Sequence, residues 1–496
     1  MPPPSSKDPL DWIESADPDR LWVIDDQGAQ TYGELLRNVR AMAGRFAVLG
    51  IKPGDRIAAK IGKSRDAVHL YLACLWTGAI YLPLNEDYTA KEIDYFLKDA
   101  EPVLFVVPPG SNHKSGEVMR IGTLGVRGEG TMIAVYPADI GPRHRFPANT
   151  VAAMLYTSGT TGKPKGAMLT RGNLASSAAT LVKAWKFTQD DILIHALPIF
   201  HVHGLFVAIN TVLAAGASMR LLPKFSPDKV LRHFRDSTVL MGVPTFYTRL
   251  LDIPGLARDK CGSMRLFVSG SAPLLAETHR AFQELTGHAI LERYGMTETM
   301  MNTSNPYQGA RVPGTVGPAL PGVSLRVSDP ETGHPVPEDT IGMIEVKGPN
   351  VFKGYWRNPE KTASAFREDG YFITGDLGKV DPDGYVHIMG RGKDLIISGG
   401  LNIYPKEVEE VIDALPGVTE SAVIGVRHPD FGEAVVAIVV GVPELEETAM
   451  IAALSGDLAR FKLPKAIRFV PKLPRNAMGK VQKAALRTAH RKLFAG

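Results

Sequence analysis

The chain alternates short apolar runs with longer segments of helical periodicity over about its first 310 residues. VAAMLY (151–156), ILIHALP (192–198), VLMGVP (239–244) and RLFVSG (265–270) are typical of buried strands. AVHLYLACLWTG (67–78) instead predicts a helix that ends at its glycine. Strands that alternate with helices predict βαβ units and largely parallel sheets, in which ligands bind at the loops after the carboxyl ends of the strands.

The pattern changes twice further along the chain. From about residue 311 to 390, MIEVKG, YFITGD and YVHIMG alternate apolar and polar residues, which predicts an antiparallel, β-barrel-like section. After residue 394, KEVEEVIDAL has helical spacing, and SAVIGV and AVVAIVV predict strands. The predicted fold class is therefore α/β. A large N-terminal domain (1–393) of two α/β subdomains carries the barrel-like section, and a small α/β C-terminal domain (394–496) follows.

Composition and charge exclude several classes of protein. An apolar content of 44% and a charged content of 22% are ordinary for a globular protein, and a net charge of +4 does not indicate nucleic-acid binding. Cys74 and Cys261 are too few for a disulfide framework. The start, MPPPSSKDPL, lacks the features of a signal peptide, and no apolar stretch reaches the ~18 residues of a membrane span. We expect a cytoplasmic protein without a membrane or nucleic-acid partner.

A loop rich in hydrogen-bond donors follows the strand VAAMLY. TSGTTGKPKG (157–166) contains three glycines, four hydroxyl residues and two lysines. Backbone N–H groups of such a loop can cradle phosphate oxygens, and lysine and hydroxyl side chains add donors. It is not a Walker A loop, because Thr157 and Pro164 stand where that pattern needs glycine and a hydroxyl residue. On composition alone, a connecting loop without function is the alternative.

In this order of residues the loop resembles the signature loop of the adenylate-forming superfamily, which includes acyl-CoA synthetases, luciferases and peptide-synthetase adenylation domains. SGSAP (269–273), YGMTET (294–299), TGDLG (374–378), GRGKD (390–394) and PRNAMGKVQK (474–483) extend the resemblance over essentially the whole chain. The resemblance implies a mobile C-terminal domain. It also implies a reaction in which a carboxylate attacks the α-phosphate of ATP to form an acyl-adenylate, from which a thiol then displaces AMP.

The resemblance assigns ATP and Mg²⁺ to particular residues. Phosphate contacts are implied for Thr157, Ser158, Gly159, Thr160, Thr161, Gly162, Lys163 and Lys165. Contacts around the adenine and the α-phosphate are implied for Gly270, Ser271, Ala272, Glu292, Tyr294, Gly295, Met296 and Thr297. Thr157 and Glu298 would hold Mg²⁺, and both would be catalytic, because charge on the phosphates has to be neutralised.

The segments nearer the C-terminus complete the implied site. Asp376 would accept hydrogen bonds from both ribose hydroxyls, with Arg391 assisting at the same sugar. Lys480 would be catalytic at the reacting carboxylate, and a lysine acetyltransferase is an implied partner there, because acetylation would remove its charge. Asp394 would be the hinge between the two half-reactions. The glycines that would leave room for the pantetheine thiol of coenzyme A are Gly399 and Gly400.

Arg293 bears on the choice of acid, because it lies in the polar cluster LERYGMTETM (291–300). On position alone, a surface ion pair is an equal alternative. An arginine inside an acyl pocket is unfavourable unless an anion pairs with it, and its planar fork suits a carboxylate. A second carboxylate on the substrate would supply that anion.

Four segments narrow the resemblance to the malonyl-CoA synthetase branch: HALPIFHVHGLF, VPTFYTRLL, ERYGMTETMMNTSNPY and KGPNVFKGYW. Arg293 would then hold the carboxylate of malonate that does not react. The other residues implied at the acyl group are His203, Ser269, Arg249, Val202 and Met301, the last two limiting a substituent at C2. Many relatives carry threonine where Val202 stands, which leaves the tolerance for methylmalonate open.

The predicted function is ATP-dependent ligation of malonate, or methylmalonate as in some members, to coenzyme A. Three alternatives stay open at this point. One is ligation of another short acid, and the second is an adenylation domain that loads a carrier protein. The third is a nucleotide-binding sensor without catalysis, against which the intact Lys480 and Glu298 argue. A metal pair of His201 and His203 is disfavoured, because no third ligand at helical spacing is nearby.

Overall fold

The computed structural model describes residues 8–112, 119–133, 143–157, 164–399, 401–476 and 479–494. The chain divides into two compact units. The first unit comprises Met1–Ser324 and Val346–Phe372, and the second comprises Leu325–Glu345 and Ile373–Gly496. The predicted boundary at residue 394 lies inside the second unit, and the segment that moves as one body stays a prediction. None of the helices within these ranges has the length and apolar content needed to cross a bilayer.

The strands account for most of the predicted apolar runs. In chain order they are β1 (Leu21–Asp25), β2 (Gly28–Thr31), β3 (Arg56–Ala59), β4 (Ile80–Pro83), β5 (Leu104–Val107), β6 (Arg120–Thr123), β7 (Val151–Thr157), β8 (Lys165–Thr170), β9 (Ile192–His195), β10 (Ser218–Leu221), β11 (Val239–Gly242), β12 (Leu266–Ser269), β13 (Leu291–Met296), β14 (Met300–Ser304), β15 (Ser324–Ser328), β16 (Gly342–Lys347), β17 (Gly354–Tyr355), β18 (Phe372–Val380), β19 (Val386–Arg391), β20 (Ile396–Ser398), β21 (Leu401–Ile403), β22 (Val418–His428), β23 (Gly432–Gly441) and β24 (Ala466–Phe469).

The helices are mostly short and are placed between strands. They are α1 (Pro9–Glu14), α2 (Tyr32–Val48), α3 (Arg65–Thr77), α4 (Ala90–Ala100), α5 (Arg171–Ala184), α6 (Asn210–Ala215), α7 (Pro227–Arg232), α8 (Pro244–Leu251), α9 (Ala276–Thr286), α10 (Pro359–Ala363), α11 (Pro405–Asp413), α12 (Glu447–Leu454) and α13 (Lys483–His490). A π-helical segment, His203–Ile209, precedes α6, and short 3₁₀ segments include Gly392–Asp394.

Helix α3 shows how local sequence sets these boundaries. Ser64 caps its first turn by accepting a hydrogen bond from the backbone N–H of Ala67. Gly78 ends it with a φ of 77°, a conformation that glycine adopts without steric strain. Nearly every side chain between these caps is buried, so the prediction of a helix here is confirmed, and the helix is a core element.

Two large sheets form the first unit. The eight-stranded sheet has the order β14-β13-β12-β11-β9-β10-β1-β2, and the seven-stranded sheet has the order β17-β8-β7-β4-β3-β5-β6. The pairs from β1 through β10, β9, β11 and β12 to β13 are parallel, while β13 pairs with β14 in antiparallel fashion. The loops after β9 and β12 therefore leave the same edge of one sheet, where parallel α/β folds bind their ligands.

The second unit contains most of a four-stranded sheet and all of a five-stranded one. The four-stranded sheet, β15-β16-β18-β19, corresponds to the predicted barrel-like section, and β18 and β19 are antiparallel. The five-stranded sheet runs β21-β20-β23-β22, with β24 beside β23. Helix α11 buries Val408 and Ile412 in a core with Val423 and Val439. These sheets and helices confirm the predicted α/β class.

Candidate active site

Arg293 is a buried cation, two of whose nitrogens have no hydrogen-bond partner among the described residues. It lies on β13 opposite Ser304 of β14, and it is only 3% exposed. Its Nε and Nη2 atoms have no hydrogen-bond partner in the described part of the chain. Burial lowers the pKa of Arg293 to about 10, while Tyr247 and Glu292 act in the opposite direction. The guanidinium is therefore charged at neutral pH, and no residue in the described ranges hydrogen-bonds these two atoms.

His203 lies beside this cation at the start of the π-helical segment. Its Nδ1 is 3.1 Å from the Ser271 hydroxyl, and its buried Nε2 has no partner among the described atoms. Burial, followed by the charge of Arg293, lowers the pKa of His203 well below its usual value. The ring is thus a neutral imidazole with one nitrogen committed to Ser271 and the other open.

The loop after β12 supplies the remaining groups. Ser269 ends the strand, is fully buried, and has a hydroxyl with no partner in the described structure. Gly270 follows, and a Cβ placed on it would lie 2.4 Å from Cζ of Arg293. We refer to Arg293, His203, Ser269, Gly270 and Ser271 as the Arg293 cluster. Its unsatisfied buried groups are suited to an anion that also accepts hydrogen bonds.

The π-helical turn has its own anchor. The backbone carbonyl of Gly204 accepts a hydrogen bond from Nε2 of His195 at 2.8 Å, and the carbonyl of His195 accepts one from Nζ of Lys63 at 2.8 Å. A Cβ at residue 204 would lie 2.0 Å from the carbonyl oxygen of Pro198, so only glycine fits. Single π-turns are frequent at functional sites, and this one fixes where His203 begins the helix.

Glu298 sits at the tip of the β13–β14 hairpin. Its Oε1 accepts hydrogen bonds from the hydroxyls of Thr157, at 3.3 Å, and Tyr355, at 3.1 Å. The backbone carbonyl of Glu298 accepts from the N–H of Phe352 at 2.7 Å, which ties the hairpin to the loop before β17. The structure thus brings together the two residues that the sequence assigned to Mg²⁺.

The oxygen atoms of Thr157 and Glu298 are the ligand type that Mg²⁺ prefers. Among the described residues, no group of three or more His, Cys, Asp or Glu side chains forms a dedicated metal cage. This pattern fits a magnesium ion held by one carboxylate, a hydroxyl and substrate phosphates. That His201 and His203 do not form a metal pair stays a prediction.

The rest of the predicted nucleotide site is described in part. Ser158, Gly159, Thr160, Thr161, Gly162 and Lys163 lie outside the described residues. Lys165 begins β8, with Nζ 5.8 Å from the centre of the Tyr355 ring. Gly295 allows close contact, since a Cβ there would lie 1.9 Å from the carbonyl oxygen of Met300. Partly exposed positions are taken by Ala272, Tyr294, Met296 and Thr297, and Glu292 is buried with Oε1 accepting from the Leu274 N–H at 3.0 Å.

The other predicted acyl residues separate into two groups. Val202 and Met301 are buried at 7% and 3% exposure, as residues lining a small pocket would be. Arg249, in contrast, is exposed on the last turn of α8. Its predicted role in substrate binding has no contact in the described structure to support it, and it stays a prediction.

The second unit holds the residues predicted for the ribose and the reacting carboxylate. Asp376 and Arg391 form an ion pair, with Arg391 Nε 2.7 Å from an Asp376 oxygen. Lys480 lies close enough to this pair for both of its charges to act on the ammonium group. Burial of that group, and then the charge of Arg391, lower the pKa of Lys480, whereas the carboxylates of Asp376 and Asp394 raise it. The three motifs therefore meet within one unit.

The predicted hinge and the pantetheine glycines lie in the same unit. Asp394 ends a 3₁₀ segment, and its Oδ1 accepts a hydrogen bond from Nη2 of Arg487 at 2.7 Å. Gly399 has a φ of 59° and donates its N–H to the carbonyl of Phe431 at 2.8 Å. Gly400 lies outside the described residues.

Several site residues were not singled out from the sequence. Tyr355 binds Glu298, and His195 and Lys63 support the π-turn. Tyr355 could have been identified from the sequence, because it lies in the segment KGPNVFKGYW that carried the resemblance. His195 had the same signal, because it begins the segment HALPIFHVHGLF, whereas Lys63 lies in none of these segments and acts through a tertiary contact.

With this geometry in view, comparison with known proteins defines the class. Residues 10–356 match the family model "AMP-binding enzyme", and residues 407–480 match "AMP-binding enzyme C-terminal domain". The chain belongs to the AMP-binding enzyme family, as the resemblance predicted.

Several known proteins are similar to this chain over nearly its whole length. It is 54% identical to MatB from Rhodopseudomonas palustris, solved with bound ATP, with a TM-score of 0.96 and 99% of each chain covered. It is 33% identical to a malonate–CoA ligase of Arabidopsis thaliana, covering 95% of this chain and 86% of that protein. It is also 35% identical to a feruloyl-CoA synthase of an Amycolatopsis species, covering 92% and 94%. Relatives with different acids thus have similar identity, so the acyl pocket has to decide the substrate.

Proposed function

We propose that this enzyme ligates malonate to coenzyme A at the expense of ATP, with AMP and pyrophosphate as products. The observation that carries the proposal is the buried Arg293 cation, two of whose nitrogens have no hydrogen-bond partner in the part of the chain that the structure describes. A buried charge is unfavourable unless it is paired, and the second carboxylate of a dicarboxylic acid pairs with it. The malonate–CoA ligase among the relatives supports the same reaction.

The Arg293 cluster gives the non-reacting carboxylate its partners. Arginine can bind a carboxylate through two parallel N–H donors, and both Nε and Nη2 of Arg293 are open. His203 Nε2 and the Ser269 hydroxyl are further open positions around the same cation. A feruloyl group has no anion to offer them. This distinguishes the proposed substrate from that of the feruloyl-CoA synthase relative.

In the first half-reaction, an oxygen of the other carboxylate attacks the α-phosphorus of ATP, and the bond to pyrophosphate breaks. The products are malonyl-adenylate and pyrophosphate. Thr157 and Glu298 would hold Mg²⁺, which neutralises phosphate charge when bound. Lys165 and the loop 158–163 would contact the phosphates, with Tyr355 orienting Glu298. We assign Tyr294 to adenine and Thr297 to the α-phosphate on the resemblance alone.

In the second half-reaction, the thiol of coenzyme A attacks the acyl carbon, and AMP leaves. Asp376 and Arg391 would hold the ribose, and Lys480 would act at the carboxylate during the first step. Asp394 would be the hinge for a rotation between the steps. We also propose that Gly399 and Gly400 admit the pantetheine arm.

Mass detection of malonyl-CoA tests the proposal. The purified chain is incubated with Mg-ATP, coenzyme A and malonate, and AMP is measured in parallel. We expect AMP and malonyl-CoA in equal amounts. With ferulate or butyrate in place of malonate, we expect the thioester to form at least about 100-fold less efficiently, because neither acid has a second carboxylate to pair with Arg293. Adenylate formation without transfer to free coenzyme A would instead indicate a carrier-protein substrate. Absence of any adenylate would indicate a nucleotide-binding protein without catalysis.

Three further points stay predictions. The first is that Val202 and Met301, which are both buried, would limit a substituent at C2 and so set the tolerance for methylmalonate. Acetylation of Lys480 by a lysine acetyltransferase would remove a charge that the first step uses. The third is a cytoplasmic location.

A further inference from the structure

Ser271 has a backbone conformation that serine rarely adopts. Its φ is 73°, in the left-handed region that favours glycine. Serine in this region is less favourable than glycine, and such residues concentrate at functional sites. The neighbouring residue, Gly270, shows that this loop accommodates glycine. A side chain at residue 271 must therefore contribute something that offsets the unfavourable backbone.

The contribution visible in the structure is one hydrogen bond to His203. The Ser271 hydroxyl is 3.1 Å from Nδ1 of that ring. His203 is 3% exposed, and its other nitrogen, Nε2, has no partner among the described atoms. A neutral imidazole carries one N–H and one lone pair, so the nitrogen that Ser271 does not occupy is a donor only if Nδ1 is the acceptor.

We propose that Ser271 is a positioning residue that holds His203 as the tautomer with its proton on Nε2, ready to donate to the substrate's distal carboxylate. The role of the distal carboxylate rests on the proposed function, whereas the contact between Ser271 and His203 is independent of it. A carboxylate offers only acceptors, so His203 can bind it only through an N–H. The Ser271 hydroxyl is able to donate to Nδ1 and so satisfies the lone pair that this tautomer leaves inside the protein.

Two substitutions at residue 271 separate the hydroxyl from the backbone. Ser271→Ala removes the hydroxyl and keeps the unfavourable φ. Ser271→Gly removes both. We expect each to lower kcat/KM for malonate by about 5- to 20-fold, mainly through KM, because a buried ring nitrogen loses its partner. The fall should be clearly smaller for butyrate, which has no distal carboxylate, and any fall shared by the two acids would report the implied nucleotide contact of Ser271 rather than its contact with His203. Ser271→Gly should also unfold at a higher Tm than Ser271→Ala.

A double-mutant cycle shows whether Ser271 acts through His203. In a His203→Leu background, Ser271→Ala should lower the malonate constant no further. Lys186→Gly is the control for backbone relief, because Lys186 is an exposed residue with a φ of 49° outside the cluster. It should raise Tm and leave both specificity constants unchanged. An equal loss with Ser271→Ala in both backgrounds would overturn the proposal, as would an unchanged malonate constant.

The tautomer itself can be read without substrate. ¹⁵N NMR of histidine-labelled enzyme distinguishes protonated from unprotonated ring nitrogens, and the signal of His203 is the one that His203→Leu removes. We expect an unprotonated Nδ1 in the wild-type enzyme and a shift toward protonated Nδ1 in Ser271→Ala. A protonated Nδ1 in the wild type would contradict the inference. This readout remains valid even if the enzyme does not use malonate, so it separates failure of the inference from failure of the proposed function.

Discussion

The guanidinium of Arg293 lies directly over the backbone of Gly270. A Cβ at residue 270 would lie 2.4 Å from Cζ and 2.5 Å from Nη1 of Arg293, distances that real side chains do not reach. The absence of a side chain at one residue thus sets the position of the charge on another. This relationship makes Gly270 a specificity position as well as part of the predicted nucleotide-binding segment.

Gly270→Ala should displace the guanidinium and weaken the enzyme for malonate. We expect kcat/KM for malonate to fall by roughly 10-fold or more, since a misplaced charged donor loses its bidentate geometry. Steady-state kinetics with malonate at saturating ATP check this. Gly262→Ala is a matched control, because a Cβ there approaches its nearest neighbour only to 4.0 Å. Equal effects of the two substitutions would mean that the close contact with Arg293 has no functional importance.

Lys480→Ala should separate the two half-reactions. We expect adenylate formation to fall by roughly 100- to 1000-fold, because the ammonium group that stabilises the negative charge of the transition state is lost. Thioester formation from presynthesised malonyl-adenylate should be almost unchanged. Single-turnover assays of each step, with the exposed Lys472→Ala as control, measure the difference. A comparable loss in both steps would show that Lys480 also takes part in thioester formation.

Asp394→Pro should hinder domain rotation. Proline fixes φ, so a hinge that needs to change φ is held in one conformation. We expect normal pyrophosphate release in one turnover and thioester turnover reduced by roughly 10-fold or more. Asp394→Ala is the control, because it also loses the Arg487 ion pair but keeps the backbone free. If alanine and proline reduce turnover equally, the ion pair is important and the hinge lies elsewhere.

Asp413 should make the second unit less stable as the pH rises from about 4 to above 6. Burial raises the pKa of Asp413 to about 6, partly offset by Ser421. The folded state therefore binds this proton more tightly than the unfolded chain does, and the free energy of unfolding falls as pH rises through about 6.

Asp413→Asn should remove that dependence. We expect a gain on the order of 2 kcal/mol at pH 8 that vanishes toward pH 4. Denaturant unfolding across this pH range measures it, with the exposed Asp457→Asn as control. A variant that is less stable than the wild type at every pH would show that the carboxylate makes a favourable contact.

The sequence predicted the elements of the fold better than their geometry. The run VLMGVP predicted a strand that is observed as β11, and KEVEEVIDAL predicted the helix observed as α11. Apolar periodicity carries this information because burial follows it directly. The strand β13 was missed, because LERYGM mixes charged, aromatic and glycine positions. Its pairing in the sheet, which no local signal encodes, makes it a strand.

The sequence assigns residues of the candidate site where a motif carries the chemistry, and these assignments stay predictions. The loop, Glu298, Asp376 and Lys480 were assigned by motif order, and Arg293 by the energetic problem that a buried cation creates. The π-turn at His203 and the φ of Ser271 were not predictable. Both depend on the tertiary contacts of Gly204 and of the ring nitrogens, which the sequence pattern does not show.

The most direct test of the account is the effect of Arg293→Leu on two acids of similar size. Removal of the guanidinium leaves the distal carboxylate of malonate without its partner, a loss on the order of 3–5 kcal/mol. We expect kcat/KM for malonate to fall roughly 200- to 5000-fold. The constant for butyrate should fall little or rise, because leucine replaces an unpaired cation with apolar surface. A parallel fall for malonate and butyrate would contradict the account, because Arg293 would then support the fold or the nucleotide rather than the second carboxylate.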